Sequence, residues 1–183
     1  MNYDLLSEFL LAGVTFGITW LNIKNRPGIA IGTLIIGIAA LLGALIFAGI
    51  SQADGPHAFV ALLAGCAALP LLALSLCWSD GDLAKRIRAA VSFFLIASAV
   101  CMWVTEVLQF AAWGQIIPAL SALLIMFGAL RSRKPAAILG GLILLGCFTL
   151  SLLQFNIYPL DSEQQLHILL SAALLLVTLR SNR

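Results

Sequence analysis

Seven apolar stretches alternate with short polar or turn-forming clusters along the chain: residues 5–23, 28–50, 58–78, 89–110, 114–130, 136–155 and 166–179. A helix crossing the hydrocarbon core takes roughly 20 apolar residues, so each stretch predicts one membrane span. The clusters between them, KNRP, SQADGPH, SDGDLAKRIR and RSRKP, are connections. Pro27 opens the second span where its missing amide costs nothing, and Pro70 predicts a kink within the third. Residues 89–130 carry a single charged side chain, Glu106, yet at about 1.5 Å per residue they are too long for one crossing. A tight turn near residues 111–114 is therefore expected.

Polar residues within the spans recur at helical spacing. Glu8, Ala12, Thr15, Thr19 and Asn22 form one stripe on the first span, and Gln164, His167, Ser171 and Thr178 form another on the seventh. On the fourth span Ser92, Trp103, Glu106 and Gln109 fall near one face, Trp113 follows seven residues after Glu106, and Ser98 and Thr105 make a neighbouring stripe. Polar groups facing hydrocarbon are costly, so these seams are expected to turn toward one another, with the fourth span as the hub of the bundle. The small-residue pairs Gly13/Gly17, Gly28/Gly32 and Ala61/Gly65 predict close packing inside the bundle.

Composition narrows the class. The 183 residues are 62% hydrophobic and only 10% charged, against about 25% charged in soluble domains. The expectation is a single all-α integral membrane domain over residues 1–183, a seven-transmembrane-helix bundle surrounded by the lipid bilayer. The N-terminal MNYDLLSEFL lacks the basic start of a secretory signal and reads as a retained first span. No nucleic-acid signature is present, and protein partners are not readable.

Charge placement sets the expected orientation. Lys24 and Arg26, then Lys85, Arg86 and Arg88, then Arg131, Arg133 and Lys134, then Arg180 and Arg183 all fall at alternate ends of the spans. The positive-inside rule makes that side cytoplasmic, with the N-terminus outside and the C-terminus inside. Minimal loops favour a bacterial cytoplasmic (inner) membrane. Cys66, Cys77, Cys101 and Cys147 all lie in apolar stretches and are expected as free thiols, with Cys66 and Cys101 at similar depth on adjacent spans.

RPGIAIGTLII before the second span resembles KPAAILGGLIL before the sixth, pairing Pro27 with Pro135, Gly32 with Gly140 and Leu34 with Leu142. Two residues out of that register, His57 opens the third span and His167 the seventh. Either apolar helices with basic-proline starts look alike, or the chain is a 3+1+3 parallel repeat such as some transporters use.

Glu8, Glu106, His57 and His167 all lie toward the outer ends of their spans. Two carboxylates and two imidazoles there could bind a divalent metal, exchange a proton or hold a cationic ligand. Against this, acids one turn from an interface can simply reach water, and span Ser and Thr are usually satisfied by their own helix backbone. The leading expectation is an outward-facing pocket, without a cofactor, that binds or conveys a small molecule, lipid or proton. Glu106 is its central anchor, Glu8, His167 and Gln109 flank it, and Trp103 and Trp113 form its walls. The alternative is a metal-dependent intramembrane hydrolase of a lipid amide or ester, with zinc on His57, His167, Glu106 and either Glu8 or Asp54. A structural or accessory subunit is the third possibility.

The stretches LLSEFLLAG, IAALLGALIFAGI and YPLDSEQQLHILLSAALLL, with the seven-span layout, resemble the superfamily that includes the alkaline ceramidases, the progestin and adiponectin receptors and related bacterial membrane proteins. That resemblance implies a zinc held by histidines late in the second span and in the seventh, assisted by Asp and Ser, with His167 as the counterpart in the seventh. The chain departs from the pattern at Phe47 and Ala48, where a ligand histidine would stand, and at Ser171.

Overall fold

The apolar periodicity folds as helices throughout. The computed structural model describes residues 3–153 and 162–178, the side chains of 151–152 and 162–163 excepted, and among the described residues there is no strand. The helices are α1 (Tyr3–Asn22), α2 (Pro27–Phe47), α3 (Asp54–Leu63), α4 (Leu69–Cys77), the single turn α5 (Asp82–Lys85), α6 (Ile87–Met102), α7 (Trp113–Ser132), α8 (Pro135–Leu152) and α9 (Ser162–Thr178). Five continuous helical segments are long and apolar enough to cross a membrane: Tyr3–Asn22, Pro27–Phe47, Ser51–Cys77, Ile87–Val107 and Trp113–Ser132. Two shorter apolar helices, Pro135–Leu150 and Gln164–Thr178, complete the set. The expected extension of the sixth stretch to residue 155, the end of the seventh, Arg180 and Arg183 lie outside the described residues.

Local chemistry explains the breaks. Pro27 begins α2, and Gly49, at φ 91°, ends it while the Ile50 N–H donates to the Leu45 carbonyl at 3.0 Å. A π-helical turn, Ala64–Ala68, joins α3 to α4 just before Pro70. The proline has no N–H and its ring crowds the carbonyl four residues back, so the widened turn is where the expected kink is absorbed. A second π-helical turn, Trp103–Val107, ends α6, and Gln109 at φ 53° turns the chain within the break over residues 108–112 that follows. Arg133, also at φ 53°, ends α7. A left-handed residue without glycine costs about 1 kcal/mol or more, so Arg133→Gly is expected to raise unfolding stability in detergent by about 1 kcal/mol; an unchanged or lowered midpoint would contradict this.

Of the five long segments α2 is the most buried. It lies against α1, α3, α4 and the π turn between α3 and α4. Gly28 and Gly32 permit this: a Cβ on Gly28 would overlap the Leu83 carbonyl and Ser75 Oγ, and one on Gly32 would stand 3.0 Å from the Ala68 carbonyl. The partner of α1 on its other side is α9, α9 packs on α8, α8 on α7, and α7 on α4. Six segments thus follow one another in a closed ring around a core that includes Leu11, Ile18, Ile36, Leu72, Ile125 and Leu174.

Two expectations are corrected here. The fourth span is not the hub: α6 lies on the flank, against α2 and the α3–α4 segment, and the segment Ile87–Val107 is the least buried of the five long ones. Its apolar residues, among them Val91, Leu95, Ile96 and Val100, are exposed, and sequence alone does not separate a lipid-suited face from a core face. Gly13 and Gly17 likewise point away from the bundle, with nothing within 4 Å of a Cβ at either.

The α1 stripe does face inward. Ser7, Glu8, Ala12, Thr15, Thr19 and Asn22 are all buried. Thr19 and Thr33 place their hydroxyls 2.8 Å apart between α1 and α2, while each also lies within hydrogen-bond distance of a carbonyl of its own helix. Such interhelical bonds contribute about 0.6 kcal/mol on average in membranes, so this pair fixes register more than it stabilises. Gln164 Nε2 donates to Asp4 Oδ1 at 2.6 Å, tying α9 to α1.

The opposite end of the bundle carries the basic connections. There Lys85 donates to Asp80 at 2.6 Å, and that hydrogen bond, reinforced by the lysine's charge, holds the Asp80 carboxyl below its usual pKa. Burial lowers the pKa of the Arg26 guanidinium, opposed by the nearby charge of Asp80. All four cysteines are free, and the Cys66 thiol donates to the Trp113 carbonyl at 3.9 Å, from the π turn to the start of α7.

Candidate functional site

At the end of the ring away from the basic connections lies a cavity of about 240 Å³, to which every ring segment contributes. Its walls are apolar, formed by Ile36, Ala40, Gly65, Pro118, Phe148 and Leu170 among others, and three ionisable side chains interrupt them: Glu8 from α1, His57 from α3 and His167 from α9.

Glu8 reaches this position because the α1 stripe turns toward α2, and because α2 presents a glycine there. A Cβ on Gly43 would overlap Glu8 Oε1 and stand 2.7 Å from its carboxyl carbon. The carboxylate is therefore packed against bare backbone and the residue is 3% exposed. His167 Nδ1 stands 3.7 Å from Glu8 Oε2, with the imidazole 20% exposed. That separation is too long for a hydrogen bond and short enough for strong electrostatic coupling in a poorly hydrated site. One turn on, Ser171 donates to the His167 carbonyl at 2.7 Å, the self-satisfied pattern expected of a span serine. His57 is half-buried on the first turns of α3.

Glu8, His57 and His167, from three different segments, are thus brought together. Glu106, Gln109 and Trp103 are not: all three are exposed at the end of α6, Trp103 by 55%, and none lines the cavity. The π-helical turn at Trp103–Val107 and the flank position of α6 carry them away from the ring. Glu106 lies one turn from the end of its helix, where a carboxylate can be hydrated. Gln109 Nε2 donates to the Glu106 backbone carbonyl and so acts as part of the helix stop. Trp113 is half-buried and lines a different, apolar space beside the ring. Gly43, which shapes the carboxylate's seat, had no distinguishing mark among 15 glycines.

The zinc implied by the family resemblance can be tested against these side chains. A zinc centre takes three or four protein ligands, and among the described residues no three His, Cys, Asp or Glu side chains gather closely enough to hold a metal ion. Glu8 and His167 make a pair, Asp54 and Glu106 are exposed, and no reaction step through zinc follows from this arrangement. No protein-family model matches the chain, and no curated protein or solved structure matches it either.

The fixed acceptor in the site is the Glu8 carboxylate, which only accepts hydrogen bonds. The described connections at this end, residues 48–53 and 108–112, contain no Lys or Arg. Such a cavity suits a guest that brings donors and positive charge.

Proposed function

We propose that this chain is a seven-span membrane protein, with its N-terminus outside and C-terminus in the cytoplasm, whose outward-facing cavity binds or conveys a small molecule bearing a primary ammonium group. The five long apolar segments, α8 and α9 would each cross once, and the placement of every Lys and Arg at alternate ends supports the orientation. The observation that carries the functional reading is the Glu8 carboxylate, 3% exposed beside His167 in an otherwise apolar cavity. An intramembrane acid kept at a cavity wall favours function over helix adhesion. An ammonium would be accepted by the Glu8 carboxylate, with His57 and His167 on the cavity wall beside it, while the rest of the molecule lies on the apolar walls.

Conveyance is favoured over simple storage by the ring order. Two runs of three consecutive segments, α1 to α4 and α7 to α9, meet at the α4–α7 and α9–α1 contacts, with α6 to the side. His57 and His167 open the third segment of each run and both line the cavity between them. A parallel repeat that rocks about a central site works in this way in some transporters.

Thermal unfolding of the detergent-purified protein with butylamine tests the binding. A ligand at 100 times its Kd adds about 2.7 kcal/mol of stability, so the expected result is a dose-dependent rise in Tm for the wild type that is absent in Glu8→Gln. No shift in the wild type, or an equal shift in both proteins, would overturn the proposal.

A further inference from the structure

The two oxygens of the Glu8 carboxylate are not equivalent. A Cβ on Gly43 would overlap Oε1 and stand 3.3 Å from Oε2, so Oε1 is the oxygen pressed against the α2 backbone. Oε2 faces His167 Nδ1 at 3.7 Å. A cation that reaches Glu8 from the cavity therefore meets the oxygen that already faces the imidazole, and the two compete for it.

The surroundings supply no second negative charge. Among the described residues the ionisable groups lining the cavity are Glu8, His57 and His167, and α2, α7 and α8 contribute none. Asp4, one turn outward on α1, accepts from Gln164 Nε2 at 2.6 Å and does not line the cavity. Asp54 is exposed at the start of α3, and on α8 the Cys147 thiol donates to the Leu144 carbonyl at 3.0 Å, away from the lining. An uncompensated charge in a poorly hydrated site is costly. Carboxylate with imidazolium is neutral, and so is carboxylate with a bound ammonium beside a neutral imidazole. Both cations together leave one positive charge over, and the carboxylate alone leaves one negative.

Resting on the ammonium-binding reading above, we infer that the proton is a second ligand of the same site, held on His167 when the cavity is empty and released to water, one for one, when an ammonium takes its place at Glu8. Charge balances in that step: imidazolium, carboxylate and incoming ammonium become neutral imidazole, carboxylate with bound ammonium, and a proton in solution. His167 is the carrier because it is the base that faces Glu8, and its imidazole, 20% exposed against 3% for Glu8, has the access to water that proton loss requires. Where the cavity opens alternately to the two sides of the membrane, the same rule makes the proton the counter-ion of the guest: one enters as the other leaves.

The test uses the detergent-purified full chain with its histidines labelled by a heavy nitrogen isotope. The chain has two histidines, so two imidazole spectra are seen by nuclear magnetic resonance, and His167→Asn identifies the one that belongs to His167. The probe is butylamine at about pH 6, where a primary amine, titrating like lysine at about 10.4, stays protonated. Titration calorimetry in two buffers of different ionisation heat counts the protons released. The expected result is about one proton per butylamine bound, with the His167 nitrogens passing from the imidazolium to the neutral form. The apparent Kd should then rise about tenfold for each pH unit below the midpoint of the His167 titration. Saturable binding without proton release, or release while the His167 nitrogens keep their form, would overturn the exchange and leave the ammonium reading standing. Absence of any saturable butylamine binding in the wild type would remove both.

Discussion

His167→Ala is expected to lower unfolding stability by about 2–3 kcal/mol, below the roughly 3–5 kcal/mol typical of breaking a fully buried ion pair because the imidazole keeps some access to solvent. The cause is local. Glu8 is 3% exposed, its carboxyl packed against Gly43, and His167 is the basic group 3.7 Å away. Truncation removes that group and leaves the carboxylate in a poorly hydrated cavity. The double substitution with Glu8→Gln should recover part of the loss, because the neutral amide no longer needs a basic neighbour. Equilibrium unfolding of all four proteins in mixed micelles gives the coupling directly. A coupling below about 0.5 kcal/mol, the range of independent sites, would show that the two side chains are neighbours without a working interaction.

Gly43→Ala is expected to be nearly as costly, at about 1–3 kcal/mol, although it adds only a methyl group. That methyl would occupy the position of Glu8 Oε1. Either α1 moves away from α2, straining a buried interface, or the carboxylate leaves its seat, which should weaken butylamine binding about tenfold or more. Gly13→Ala provides the contrast, since a Cβ there meets nothing within 4 Å. Replacing a helix-interior glycine at an open position should stabilise by up to about 1 kcal/mol. Equal effects of the two substitutions on stability and on binding would remove Gly43 from the account.

Much of the helical layout was legible because length and apolarity are properties of a segment by itself. The breaks at 23–26, 108–112 and 133–134 fall close to the expected connections, and the helices start or stop at Pro27, Gly49 and Arg133 for backbone reasons. What a helix faces was less legible. On α1 the stripe from Glu8 to Asn22 was visible, since a mixed polar and apolar helix has a readable inside. On α6 nearly every residue is apolar, so the exposed Val91, Leu95 and Val100 looked no different from core residues, and Glu106 took on a central role that its position at the end of a flank helix does not give it. His57 and His167 were recognisable as a pair opening two spans, but their meeting at one cavity depends on the ring order, which is a tertiary property. Gly43, Gly65 and Pro118 were silent for the same reason: each matters only for what stands opposite.

Equilibrium binding of radiolabelled butylamine to the wild type, Glu8→Gln and Glu106→Gln tests the central claim most directly. The two acids are the only Glu residues within the first four apolar stretches, one buried at the cavity and the other exposed on the flank. The account predicts saturable binding that Glu106→Gln retains and Glu8→Gln loses. Binding that survives Glu8→Gln and disappears in Glu106→Gln would contradict it and place the site on α6.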